Sequence, residues 1–185
     1  MPIQIEPQNT IPKKTEAQQR CDDWLAQQFG GPGAKAGANG FTPGGDYRGD
    51  TIGDNGQVRG HLSNYAMHLS GSADQTQDTD AFIPRGGSRT LSTTDPAGNT
   101  VDLFYYRNLF GQRNVTLAVL HLDRAPITQV GNRLRIGRTG GPGGDGPTDR
   151  HIHSELLRRR WSTFPKPAKR IPHHIPLNRL CPPSR

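Results

Sequence analysis

Apolar and polar positions recur along this chain with two different periods. Over residues 15–29 (TEAQQRCDDWLAQQF) the apolar side chains Ala17, Cys21, Trp24, Leu25 and Phe29 return at helical spacing and form one stripe. Thr15 stands at the N-cap position, and Gly30 and Gly31 close the pattern, so one short N-terminal helix is predicted. Its stripe reads as a docking face. From about residue 58 the period falls to two. Short alternating runs predict strands at 64–69, 80–84, 88–93, 100–106, 114–122, 133–137 and 150–157, with residues 95–99 (DPAGN) as a turn. No segment between successive strands suits a crossover helix, so antiparallel pairing is expected.

Outside these runs the periodicity disappears. Residues 30–60 are dominated by Gly, Asp and Asn and read as loops, without the ligand spacing of a calcium loop or a strand-led nucleotide loop. Residues 158–185 contain six prolines and are expected to form an extended strap or tail. The predicted organisation is an N-terminal extension over 1–57, a mostly β domain over 58–157 and a basic Pro-rich tail over 158–185.

Composition narrows the picture. Hydrophobic residues make up 31% of the chain and aromatic ones 6%, below the usual apolar share of roughly 45–50%. A modest core and a loop-rich fold follow. There is no apolar run of about 18 residues for a membrane span. Met1 to Ile11 lacks the basic and apolar segments of a secretory signal. A protein of this kind acting outside the cytoplasm then needs some other means of delivery, or a longer precursor. Cys21 and Cys181 allow one disulfide or two free thiols, and are too few for a Cys-type zinc site.

The formal charge of +7 is unevenly spread: residues 150–185 hold nine Lys/Arg and one Glu, and the remainder holds 14 Lys/Arg and 15 Asp/Glu. Arg158, Arg159 and Arg160 could meet an anionic polymer or belong to a solvated tail. Nucleic acid is disfavoured, because aromatic residues are not interleaved with the cations.

Three segments carry candidate chemistry. In a strand at 150–158 (RHIHSELLR), His151, His153 and Glu155 share one face, while Ile152, Ser154 and Leu156 share the other. The two imidazoles would stand about 7 Å apart and could serve one reaction centre. In 114–124 (NVTLAVLHLDR), alternation puts Leu117, Val119, His121 and Asp123 on a common face. In 64–74 (NYAMHLSGSAD), His68 follows a short apolar run and Asp74 follows a turn. A histidine and a carboxylate from there, with one histidine of the later pair, would give zinc three ligands and leave a fourth position for water.

Together these segments resemble the lysostaphin-type (LytM-like) zinc metallopeptidases, which cut peptide bonds in bacterial peptidoglycan. AVLHLD resembles the family's middle-histidine strand, VGNRLRIGRTGG (130–141) its Gly-punctuated hairpin, and HIHSEL its closing HLHFE motif. The resemblance covers about residues 61–157. It implies an antiparallel β-sheet metallopeptidase domain in which His68, Asp74 and His153 hold Zn2+. His121 and His151 would be catalytic, flanking the attacking water, and Glu155 would orient a ligand histidine from behind. The family spaces its first His and Asp four apart, whereas His68 and Asp74 are six apart, so Asp78, Asp80 and His61 stand as substitutes. His173 and His174 are not expected as ligands. Residues 137–147 are expected to wall a substrate groove. The implied substrate is the peptide stem of peptidoglycan, with phage tail or secretion-apparatus proteins as further partners. The rival reading is an inactive LytM-like structural or wall-binding module, such as a phage tail component.

Overall fold

The computed structural model describes residues 15–31, 50–52, 58–60, 67–69, 78–147 and 149–183, the short stretches between 50 and 69 by backbone alone. Helix α1 spans Glu16–Gly30. Strands follow as β1 Asp50–Ile52, β2 Val58–Gly60, β3 Met67–Leu69, β4 Asp80–Pro84, β5 Ser88–Thr94, β6 Thr100–Leu109 and β7 Gln112–Leu120. Next come β8 Asp123–Val130, β9 Arg133–Arg138, β10 Asp145–Gly146, β11 Asp149–Arg150 and β12 Ile152–Arg158. A single helical turn, α2 (Pro167–Arg170), precedes β13 (His174–Ile175). The chain is mostly β and antiparallel, with α1 the one long helix among the described residues. No described helix is long and apolar enough to cross a membrane.

Helix α1 forms where its pattern predicts. Thr15 Oγ1 accepts from the Gln18 amide, and the Gln18 side chain accepts from the Thr15 amide. This reciprocal cap satisfies donors that the first helical turn leaves open. Leu25, Ala26 and Phe29 are buried in the main core, so the helix shares one body with the strands.

The larger sheet has the order β13-β12-β7-β6-β5, with β3 also paired to β12. A second sheet has the order β4-β9-β8. The main core lies between one face of the larger sheet, the smaller sheet and α1, and includes Ile83, Phe104, Leu117, Val119, Ile136, Ile152 and Leu156. The opposite face of the larger sheet carries a smaller cluster of Val101, Leu103, Ala118, Leu157 and Trp161, with Leu120 and Phe164 packed on it. Burying one such large apolar side chain contributes roughly 1.5–3 kcal/mol.

Three sequence expectations change. Strand β8 is absent from the alternation because it lies at a sheet edge with mostly exposed residues and carries Pro126; edge strands need no apolar face. The loop-like stretch 30–60 contains the antiparallel pair β1–β2. The C-terminal segment is a packed strap, not a solvated tail: Trp161, Arg170, His174, Ile175, Leu177 and Leu180 are all buried. Strand β13 pairs Ile175 with Leu156 and His174 with Leu157. A disulfide joins Cys181 of the strap to Cys21 of α1, across 160 positions of sequence. It settles the two alternatives left open for the thiols.

Candidate functional site

The site is built on the strap-covered face of the larger sheet. His121 follows the last residue of β7, with φ at 63°. Continued alternation would send it into the core after Leu117 and Val119. The left-handed residue breaks the alternation, so His121 lines a cavity on the other face and Leu122 enters the core instead. The predicted common face of Leu117, Val119, His121 and Asp123 therefore ends at Val119, and Asp123 is exposed in β8. A non-glycine residue held left-handed costs of order 1–3 kcal/mol, which the surroundings must offset.

Those surroundings are the glycine-rich loop. The His121 carbonyl accepts from the Gly141 amide at 2.9 Å, and its amide donates to the Thr100 carbonyl at 3.2 Å. Nδ1 of the ring lies 3.0 Å from the Pro142 carbonyl oxygen. A carbonyl can only accept, so Nδ1 carries a proton, and in the neutral ring Nε2 is the basic nitrogen. Gly143 sits at φ 87°, where an added Cβ would fall 2.0 Å from Asn99 Oδ1 and 2.6 Å from His121 Nδ1. The loop packs on the flank of His121, where an added Cβ on Gly143 or Gly144 would meet the His121 side chain.

His151 falls between β11 and β12, and its amide donates to the Gly144 carbonyl at 3.0 Å. Its ring centroid is 5.1 Å from that of His121, edge to face. His153, in β12, has its ring centroid 6.3 Å from that of His121. The three histidines thus converge from two segments 30 positions apart. They line a cavity of about 500 Å³ together with Leu120 and Glu155. One rim is the turn at Asp95–Asn99 and the other is strap residues Phe164, Pro165, Lys166 and Arg170.

Behind His153 stands a buried charge cluster. His153 Nε2 is 3.0 Å from Glu155 Oε1. Glu155 Oε2 accepts from Arg170 Nε at 2.9 Å and lies 3.0 Å from His174 Nε2. Burial by itself would push the Glu155 carboxyl up. Its bonds to His153 and His174 and the charges of His153 and Arg170 outweigh that, and hold it well below the usual carboxylate range. A carboxylate accepts, so His153 donates from Nε2, and in the neutral ring Nδ1 has the lone pair. This carboxylate–histidine arrangement is the one that metal-ligating histidines use to fix tautomer and ring orientation.

Of the expected zinc ligands, His153 alone is described with its side chain. The backbone of β3 sets His68 directly opposite His153 in the β3–β12 register. Asp74 and His61 lie outside the described residues, and no complete metal-holding group occurs among the described ones. The substitutes Asp78 and Asp80 are engaged elsewhere: Asp78 Oδ1 is 3.7 Å from Arg150 Nε, and Asp80 Oδ1 is 3.0 Å from Arg135 Nε. Neither lines the histidine cavity.

Arg170 and His174 are participants that the sequence reading missed, because they lie in a segment read as tail. One signal did exist. A glutamate inside an apolar strand must find a buried cationic partner, and the strap is one of the cation-bearing segments of the chain. No family model, curated protein or solved structure matches this chain.

Proposed function

We propose that the protein is a zinc-dependent endopeptidase of the lysostaphin type, hydrolysing the peptide crosslinks of bacterial peptidoglycan. The observation that carries this reading is the convergence of His121, His151 and His153 on one cavity, with buried Glu155 fixing the ring of His153. His153, presenting Nδ1, would hold the metal with His68 and Asp74; the opposition of His68 and His153 on paired strands supports the first two. Bound zinc supplies a lowered pKa for water and polarisation of the scissile carbonyl.

The remaining chemistry belongs to the imidazoles. His121, with Nδ1–H anchored on Pro142, accepts the proton of the attacking water at Nε2 and returns it to the leaving amine. His151, packed edge to face on His121, stabilises charge developing on the carbonyl oxygen. The cleft between the Asp95–Asn99 turn and the strap admits an extended peptide. A disulfide between α1 and the strap suits an oxidising compartment, which supports action at the cell wall.

The test is release of crosslink peptides from purified peptidoglycan, read by chromatography of the soluble products. Zinc-loaded protein should open crosslinks. His153→Ala should lose both zinc and hydrolysis, while His121→Ala should keep zinc and lose hydrolysis. Zinc uptake with wall crosslinks left intact would favour the inactive wall-binding module. No zinc uptake at all would remove the metallopeptidase reading.

A further inference from the structure

We infer that Arg170 and His174 of the C-terminal strap are positioning residues of the metal centre, acting on His153 through Glu155. This rests on the reading of His153 as a metal ligand. Its starting point is the division of labour at the Glu155 carboxylate. Oε1 meets only His153 among the bonds above, while Oε2 is held by Arg170 and His174 together. The carboxylate therefore cannot rotate about its last bond without breaking contacts to two separate parts of the strap.

The strap is itself held rigid at these two points. Arg170 Nη1 donates to the Pro165 carbonyl, and its guanidinium stacks 3.8 Å above the Phe164 ring. Phe164 packs on the cluster that covers this face of the sheet. His174 is fixed by its pairing with Leu157 in the β12–β13 ladder. The strap's far end is tied to α1 through Cys181 and Cys21. All four members of the chain Arg170–Glu155–His153 and His174 are buried. In that low-dielectric setting each bond is strong and each loss is uncompensated by water.

A buried ion pair could exist only to hold the strap down. Two features point beyond that role. The cluster ends on a histidine ring that faces the cavity, and the donors on Oε2 turn the other oxygen toward that ring. Removing Arg170 would leave Oε2 of Glu155 on His174 alone, so the carboxylate could tilt and carry the ring of His153 with it. The C-terminal strap is then part of the catalytic centre and not an appendage to it.

The experiment measures zinc dissociation constants of the full chain by competition with a chromogenic chelator, alongside thermal unfolding of each variant. Arg170→Met and His174→Phe should weaken zinc binding about 10–100-fold, the usual effect of removing a group that orients a ligand histidine. Arg170→Lys should recover part of the loss, since it restores the charge without the planar fork. The control is Arg124→Met, which breaks the bond of Arg124 to buried Asp102 on the other face of the sheet. It should lower the unfolding temperature and leave zinc binding unchanged. A folded Arg170→Met or His174→Phe that binds zinc as tightly as the unmutated chain overturns the inference. Equal zinc loss in Arg124→Met does the same, because general loosening would then explain it. An unmutated chain that binds no zinc overturns the ligand reading of His153 and this inference with it.

Discussion

Asp102 and Glu155 are buried carboxylates in the same sheet, one on each face, and both are neutralised by arginine. Asp102 accepts from Arg124 Nε at 2.9 and 3.0 Å and from Ser92 Oγ at 2.7 Å, and Arg89 Nε stands 3.5 Å away. Its arginines are about a third exposed. They tie β5, β6 and β8 together, and the network ends on backbone carbonyls of Thr93 and Val101. Glu155 is paired with an arginine that is itself buried, and its network ends on the ring of His153 in a cavity. The same solution to a buried charge ties strands together on one face and orients the ring of a cavity-lining histidine on the other.

The largest expected contrast comes from removing each carboxylate. Glu155→Ala strands Arg170 away from water and should cost about 3–5 kcal/mol of unfolding free energy, the range for a broken buried pair. Asp102→Ala leaves arginines that can turn to solvent, so a smaller loss of about 1–3 kcal/mol is expected. Urea denaturation of the two variants checks the order. Equal losses would mean that the strap face is no more enclosed than the core face.

Gly143→Ala sharpens the contrast at lower cost in stability. The new methyl would collide with Asn99 and the His121 ring and would sit at a positive φ. A loss of about 1–2 kcal/mol is expected from the left-handed backbone alone. Hydrolysis should fall far more than this suggests, because His121 is displaced from the cavity. Unfolding and peptide release measured on the same preparation would separate the two effects.

The smallest effect concerns Asp95, at the rim of the same cavity. Slight burial would raise its carboxyl, but bonds from the Asn99 side chain and amide outweigh this and hold it below its ordinary value. A depressed carboxyl stabilises the fold above its unfolded pKa of about 4 and loses that contribution as pH falls toward the folded value. The stability difference between the unmutated chain and Asp95→Asn should therefore shrink between pH 6 and pH 3, roughly the window in which free carboxylates protonate. A constant difference across that range would mean that the turn does not depend on the charge.

The readable part of this protein is the part governed by local periodicity. The stripe over 15–29 and the Thr15 cap produce α1, and period-two runs produce β4 to β7, β9 and β12 close to their predicted limits. The shared face of His153 and Glu155 is a direct consequence of strand geometry, and both line the cavity. His121 shows where that logic stops. Alternation assigns it to the core, and only its left-handed backbone, held by the glycine loop and the Pro142 carbonyl, turns it toward His151 and His153.

Sequence by itself determined the β-rich antiparallel character, the helix and the shared strand face of His153 and Glu155, because each depends on neighbours within a few residues. Tertiary structure alone decided the rest. It brought segments 30 positions apart onto one cavity, joined Cys21 to Cys181, and turned a proline-rich basic segment into a strap that neutralises Glu155. These outcomes depend on which surfaces meet across the fold. A buried glutamate announces that it needs a partner, but a strand pattern contains no information about which distant arginine will arrive.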